Sequence, residues 1–251
     1  MEKAFELSKC QIFYACVGEF FATFLLVYAV QMTFNALAIA TALWIAITMT
    51  DKLSGGHANP AVTTGVWLGN RHLHKWGMLL LYWLSQTIGG FIACFLTYGF
   101  SERMLPINPE SHWQVQQFFL EVVNTCIFVT NVLICKDSKR NYTKDNFHLA
   151  TIVAGTLFVV ITIAGNFGYG ACMNPAVGFT INISSLIFVQ DMQMYRVWIW
   201  IVGQFIGGFL AGLLKRFFID KAYDSMNSNG DPSGMFNMMS EFADMTQKLQ
   251  S

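Results

Sequence analysis

The sequence predicts an all-α membrane protein: six transmembrane helices plus two half-helices, folded as an inverted repeat. Three observations predict it. First, of 251 residues only 12% are charged and 54% are hydrophobic, where a soluble domain carries about 25% charge. With a mean hydropathy of +0.45, the chain lacks the polar surface needed to face water, and a lipid-facing surface accounts for this. Second, six apolar runs reach the ~20 residues that cross the hydrocarbon layer. Third, the triplet Asn-Pro-Ala occurs twice, at Asn59-Pro60-Ala61 and Asn174-Pro175-Ala176, between the second and third runs and again between the fifth and sixth.

Met1 to Lys9 is polar and mixed in charge, and it precedes an apolar run too long for a cleavable leader, with no small-residue cleavage site after it. The runs are Gln11–Gln31, Phe34–Thr50, Met78–Phe100, Gln117–Cys135, His148–Gly165 and Val197–Phe217. The first two are joined by a very short loop near Met32. Two shorter stretches, Pro60–Leu68 and Pro175–Phe188, follow the triplets and are too short to span. Residues 10–221 form the expected membrane domain, with repeats at about 10–100 and 117–218, between a cytoplasmic N-terminus (1–9) and a polar cytoplasmic tail (222–251). Met235–Leu249 is either a short amphipathic helix, and then a candidate contact for a partner, or plain flexible chain.

Orientation follows from the basic residues. With both termini cytoplasmic, only Arg103 and Arg196 of the fifteen Lys and Arg fall outside, and positive charge accumulates inside. The halves repeat. Gln86-Thr-Ile-Gly-Gly-Phe-Ile-Ala93 in the third run matches Gln204-Phe-Ile-Gly-Gly-Phe-Leu-Ala211 in the sixth, and Glu19 with Thr23 matches Glu121 with Thr125. Each half holds three spans, an odd number, so the second half enters from the opposite side. The glycines Gly89-Gly90, Gly207-Gly208 and Gly212 are expected at close helix approaches.

The triplets carry the chemistry. Backbone ending inside a membrane is tolerated only within protein or beside a water-filled cavity. Asn is a favoured N-cap, and Pro suits the first helical position. Inverted symmetry would bring the two helix starts together from opposite faces, each with a partial positive charge of about half a unit. Each Asn can cap its own helix with its oxygen and turn its amide N–H groups into the lumen, where a water or alcohol oxygen would accept them while cations are repelled. A plain Asn-Pro turn is the alternative for either triplet alone; two triplets in register with the other landmarks argue against it.

Other chemistry is not written in the chain. The net charge is zero, which gives no reason to expect nucleic acid. The six cysteines, Cys10, Cys16, Cys94, Cys126, Cys135 and Cys172, are scattered, with no metal-ligand spacing and no disulfide framework. No nucleophile–base pair, metal cluster or phosphate loop points to an enzyme, and no cofactor is expected; His112 and His148 are expected to be solvated. The glycosylation-type triplets at Asn141 and Asn182 fall on a cytoplasmic segment and a half-helix.

At these motifs the sequence resembles the aquaporins and aquaglyceroporins of the major intrinsic protein family. The resemblance runs from about Cys16 to Leu214. It is carried by Gly18–Val27, by Ser54-Gly-Gly-His-Ala-Asn-Pro-Ala-Val-Thr63 and by Gly170-Ala-Cys-Met-Asn-Pro-Ala176. It implies the aquaporin hourglass fold, a right-handed bundle, usually a homotetramer in the lipid bilayer with one single-file pore per subunit for water or small neutral solutes. It also implies that Glu19 and Glu121 hold the backbone of the half-helix loops; a glutamate snorkelling to the interface is the alternative. His57 lines the pore mouth or bonds a loop carbonyl. Cys172 is a candidate for mercurial block unless it faces the packing side.

The sequence departs from the family at its outer filter, where one arginine normally stands three residues after the second Asn. Here that residue is Val177. The other filter positions fall on Ile39, Thr162 and Ala171. None is charged, and only Thr162 is polar. An arginine supplies fixed donors and a positive field. Without it the filter either passes glycerol, urea, ammonia or peroxide beside water, or closes by dewetting. Gly178, where glycerol channels usually carry Asp, does not settle this. A structural subunit with an occluded pore is therefore the alternative to a conducting channel.

Overall fold

A computed structural model describes residues 7–69, 76–107, 114–137, 143–167, 170, 172–190 and 197–228. All regular elements among the described residues are helices. Six helices are long and apolar enough to cross a membrane. Four of them, with the shorter helix between, make the first half and the start of the second: α1 (Lys9–Thr33), α2 (Ala36–Ser54), α3 (Pro60–Gly69), α4 (Trp76–Ser101) and α5 (Gln114–Cys135). After these come α6 (Asn146–Asn166), α7 (Pro175–Val189), α8 (Ile199–Leu214), a π-helical turn (Lys215–Ile219) and α9 (Asp220–Ser228). Met235–Leu249 lies outside the described residues.

The helix ends correct the expected boundaries, and side-chain caps explain three of the new starts. α1 begins before Gln11 because Ser8 closes a capping box: its Oγ accepts the Gln11 N–H at 3.2 Å, and Gln11 Oε1 accepts the Ser8 N–H at 2.9 Å. α2 does not begin at Phe34. That residue is the left-handed end of α1 (φ 47), and Asn35 caps α2 by accepting from Leu37 and Ala38. α2 then runs on past Thr50 to Ser54, carrying Asp51 and Lys52 into the helix. Asp145 starts α6 by accepting the Phe147 N–H at 2.9 Å. The sixth span stops being α-helical at Leu214, where the π turn begins.

The two halves pack alike. α1 lies along α4, and α5 along α8. At the first seam the Cβ missing from Gly89 would run into the Phe20 carbonyl; at the second, one at Gly207 would sit 2.6 Å from the Val122 carbonyl. The neighbouring glycines receive the half-helices: Gly90 of α4 meets Thr180 of α7, and Gly208 of α8 meets Ala61 of α3, whose carbonyl oxygen would be 2.5 Å from an added Cβ. Two adjacent glycines on each of two helices thus serve two different contacts. The core is apolar, with Val27, Val62, Leu133, Ile181 and Trp200 fully buried. Large apolar side chains such as Phe13, Phe21, Leu37, Met49, Leu80, Leu84 and Phe119 cover the outside, as a lipid-facing surface requires.

Candidate functional site

The two helix starts meet inside the bundle. Asn59 Oδ1 accepts the N–H of Ala61 at 2.8 Å and of Val62 at 3.4 Å; Asn174 Oδ1 accepts those of Ala176 at 3.0 Å and Val177 at 3.4 Å. Each asparagine then reaches into the opposite half. Asn59 Nδ2 donates to the Met173 carbonyl at 2.7 Å, and Asn174 Nδ2 donates to the Ala58 carbonyl at 2.7 Å. This corrects the expectation that both amide hydrogens of each residue face the lumen. One hydrogen of each Nδ2 closes a reciprocal clasp, and the other stands outside it.

The clasp dictates an unusual backbone. Ala58 and Met173, the residues before the two asparagines, both take left-handed angles, φ 51 and 45, a conformation that costs non-glycine residues about 1–3 kcal/mol. It turns each carbonyl toward the opposite asparagine and each N–H toward a buried glutamate. Glu19 accepts from the N–H of His57 at 2.9 Å and of Ala58 at 2.8 Å. Glu121 accepts from Cys172 at 2.9 Å and Met173 at 3.0 Å. Glu19 is 0% exposed and Glu121 3%, so neither snorkels.

In the sequence Gln86 and Gln204 stand out as repeat landmarks, with no sign of a role at the site. They are the glutamates' partners: Gln86 Nε2 donates to Glu19 at 2.6 Å, and Gln204 Nε2 to Glu121 at 2.9 Å. The first half adds a side-chain net of its own. Thr63 Oγ1 accepts from Gln86 at 3.0 Å and lies 3.2 Å from His57 Nδ1, while the His57 ring stands edge-on to Tyr82. The residue equivalent to Thr63 is Gly178, where an added Cβ would lie 2.6 Å from the Trp200 carbonyl. Position 178 therefore faces a helix, and its identity is set by packing against α8.

Two cavities run through the bundle from this centre. One, of about 330 Å³, is lined by Asn59 and Asn174 together with Ile39, Thr162, Val177, Cys172, Phe34 and Asn166. Three of the four expected filter residues are thus brought around one space, while Ala171 lies outside the described residues. Thr162 donates its hydroxyl to the Phe158 carbonyl at 2.7 Å, so toward the cavity it offers lone pairs. The second cavity, of about 390 Å³, is lined by Asp51, Lys136, Asn146, Cys135 and the Gly55–Gly56 backbone. Leu43, His57 and Phe128 line both and so stand where the two adjoin, a position called the neck below. Apolar lengths of helix gave no sign that Leu43 and Phe128 would meet there. Among the described residues no three His, Cys, Asp or Glu side chains are grouped to hold a metal. Asn182 is fully buried, with Oδ1 accepting the Ile107 N–H, and is closed to glycosylation.

The comparisons agree with this geometry. The sequence profile described as "MIP: Major intrinsic protein" matches residues 6–215. The chain is 30% identical over 238 residues to aquaporin TIP1-1 of Zea mays, covering 85% of this chain and 90% of that one. It is 30% identical over 196 residues to aquaporin TIP1-1 of Arabidopsis thaliana, covering 76% and 74%. The fold is similar to that of an aquaglyceroporin from Plasmodium falciparum, with a TM-score of 0.71 at 21% identity over 85% of this chain and 99% of that one. Two clasped half-helices inside six apolar spans, with a profile match over most of the chain, identify it as a membrane channel, not an enzyme, of the major intrinsic protein family.

Proposed function

We propose that this channel passes water and small neutral solutes in single file, and that its filter is Ile39, Thr162, Ala171 and Val177. The observation that carries the reading is the clasp. Asn59 and Asn174 both line the first cavity, each with one amide hydrogen beyond those used in the clasp. Two donors at the positive ends of two helices favour a neutral oxygen and oppose a cation. The wall facing them is built from Ile39, Val177 and Leu157, so a solute that needs many hydrogen bonds loses more there than one that needs few. His57, Glu19 and Glu121 support the loops. The basic residues favour the Lys136 mouth and both termini on the cytoplasmic side. The channel domain is 10–221, and a homotetramer in the bilayer is the expected assembly, with the tail beyond 221 as a candidate contact for a partner.

Stopped-flow swelling of proteoliposomes tests this. Water permeability above that of empty vesicles is expected; rates equal to empty vesicles for water, glycerol, urea and ammonia would sink it. The neck motivates a second reading, an occluded structural subunit. Leu43 and Phe128 are apolar and nearly fully buried, and an apolar constriction can dewet.

A further inference from the structure

Two ion-paired groups lie back to back just after α5, Lys136 with Asp51 at the second mouth and Asp137 with Lys215 and Asp220 behind it. Lys136 directly follows α5. Its Nζ lies 2.9 Å from Asp51 Oδ1 in the last turn of α2 and also donates to the Gly55 carbonyl. Asp51 and Lys136 both line the second cavity. α6 packs against both α2 and α5, whereas α2 and α5 share no extended contact of their own among the described residues. The bridge therefore reaches across the mouth.

The next residue, Asp137, turns the other way. Its Oδ2 lies 2.9 Å from Lys215 Nζ, which in turn sits 3.1 Å from Asp220 Oδ1, the first residue of α9. The side chains of Lys136 and Asp51 are 18% and 28% exposed, while that of Lys215 is 2% exposed. A partly exposed pair holds less firmly than a buried one; a buried lysine must keep its partners. Lys215 also packs its stem near Gly69, the end of α3.

We propose that Lys136 is a specificity-determining latch at this mouth, and that the Asp137–Lys215–Asp220 triad relays the position of α9 to it. Closed on Asp51 and Gly55, the lysine narrows the entrance and steadies the loop that carries His57 and Asn59. Parted, it leaves a wider mouth that admits larger neutral solutes. The proposal rests on the channel reading above.

The test uses full-length protein in vesicles, with K136M, D51N, K136R and D220N. The urea-to-water permeability ratio should rise about threefold in K136M and D51N, the scale set by a partly exposed ion pair, and stay near wild type in K136R. D220N should move it the same way by less, and should add nothing to K136M. Cys135, in the wall of the same cavity, should react faster with a maleimide in K136M, read by peptide mass spectrometry. An unchanged ratio with an unchanged Cys135 rate in K136M would overturn the latch, and full additivity of D220N with K136M would overturn the relay. A wild type at the empty-vesicle rate would overturn the channel reading instead. In that case K136M conducting, or labelling faster at Cys135, supports the latch, and K136M doing neither overturns it.

Discussion

Val177 is 3% exposed, and its backbone N–H is one of the two that Asn174 caps, so the side chain's place in the first cavity is fixed by the helix start beneath it. Val177→Arg would put a guanidinium beside Thr162 and Asn174. Urea and glycerol flux should fall relative to water in stopped-flow assays. Unchanged flux of both in a folded variant would remove Val177 from the filter. A second residue-scale expectation concerns Asp145. The Phe147 N–H, followed by His148, holds its carboxyl below the ordinary value of 3.8. Since the folded-state value is lowered, the cap contributes fully above that ordinary value and is lost as pH falls through the lowered one. Thermal unfolding of wild type should therefore weaken relative to Asp145→Asn as pH drops below about 4. A constant difference between the two would show that the cap does not titrate. At this scale the sequence was readable where a residue's chemistry is rare in its setting. Asparagine before proline and glutamate inside an apolar run both stood out. Leu43 and Phe128 did not, because an apolar side chain looks the same whether it faces lipid, core or lumen.

Elements were readable for a related reason. A span must be apolar over its whole length, and that constraint leaves a plain trace. The ends were less plain because capping is a local side-chain event: Ser8, Asn35 and Asp145 each moved a boundary by one or more residues. The glycine pairs were readable as close contacts, but not as two contacts per pair. Gly208→Ala should be severe. Its Cβ would stand 2.5 Å from the Ala61 carbonyl, which is backbone and cannot yield without shifting α3. Gly77→Ala, with nothing within 4 Å, is the control. Detergent-solubilised G208A should unfold at a clearly lower temperature and lose water flux, while G77A should keep both. Equal behaviour of the two would contradict the packing.

For the whole molecule, the inverted repeat was legible because its landmarks recur in order, whereas the Lys136–Asp51 bridge was not. Its partners are 85 residues apart and meet only because α2 and α5 end at the same face. The neck yields a test at this scale. Phe128→Leu shortens one wall of the passage between the cavities while keeping it apolar. Water permeability should rise if the neck limits flow. No change would place the barrier elsewhere, at the filter or at the second mouth.

The reciprocal asparagine bonds also constrain how the protein is made. Asn59 takes its carbonyl from Met173, which is 114 residues later, and Asn174 takes its own from Ala58. While the first half alone has left the ribosome, the start of α3 has a cap but no counterpart, and a buried amide without a partner is unfavourable. The centre of the protein can therefore close only after the second half has been inserted, so maturation should end with a late docking of one half on the other. A chain interrupted between α4 and α5 would be expected to wait, open and prone to degradation, until its missing half is supplied.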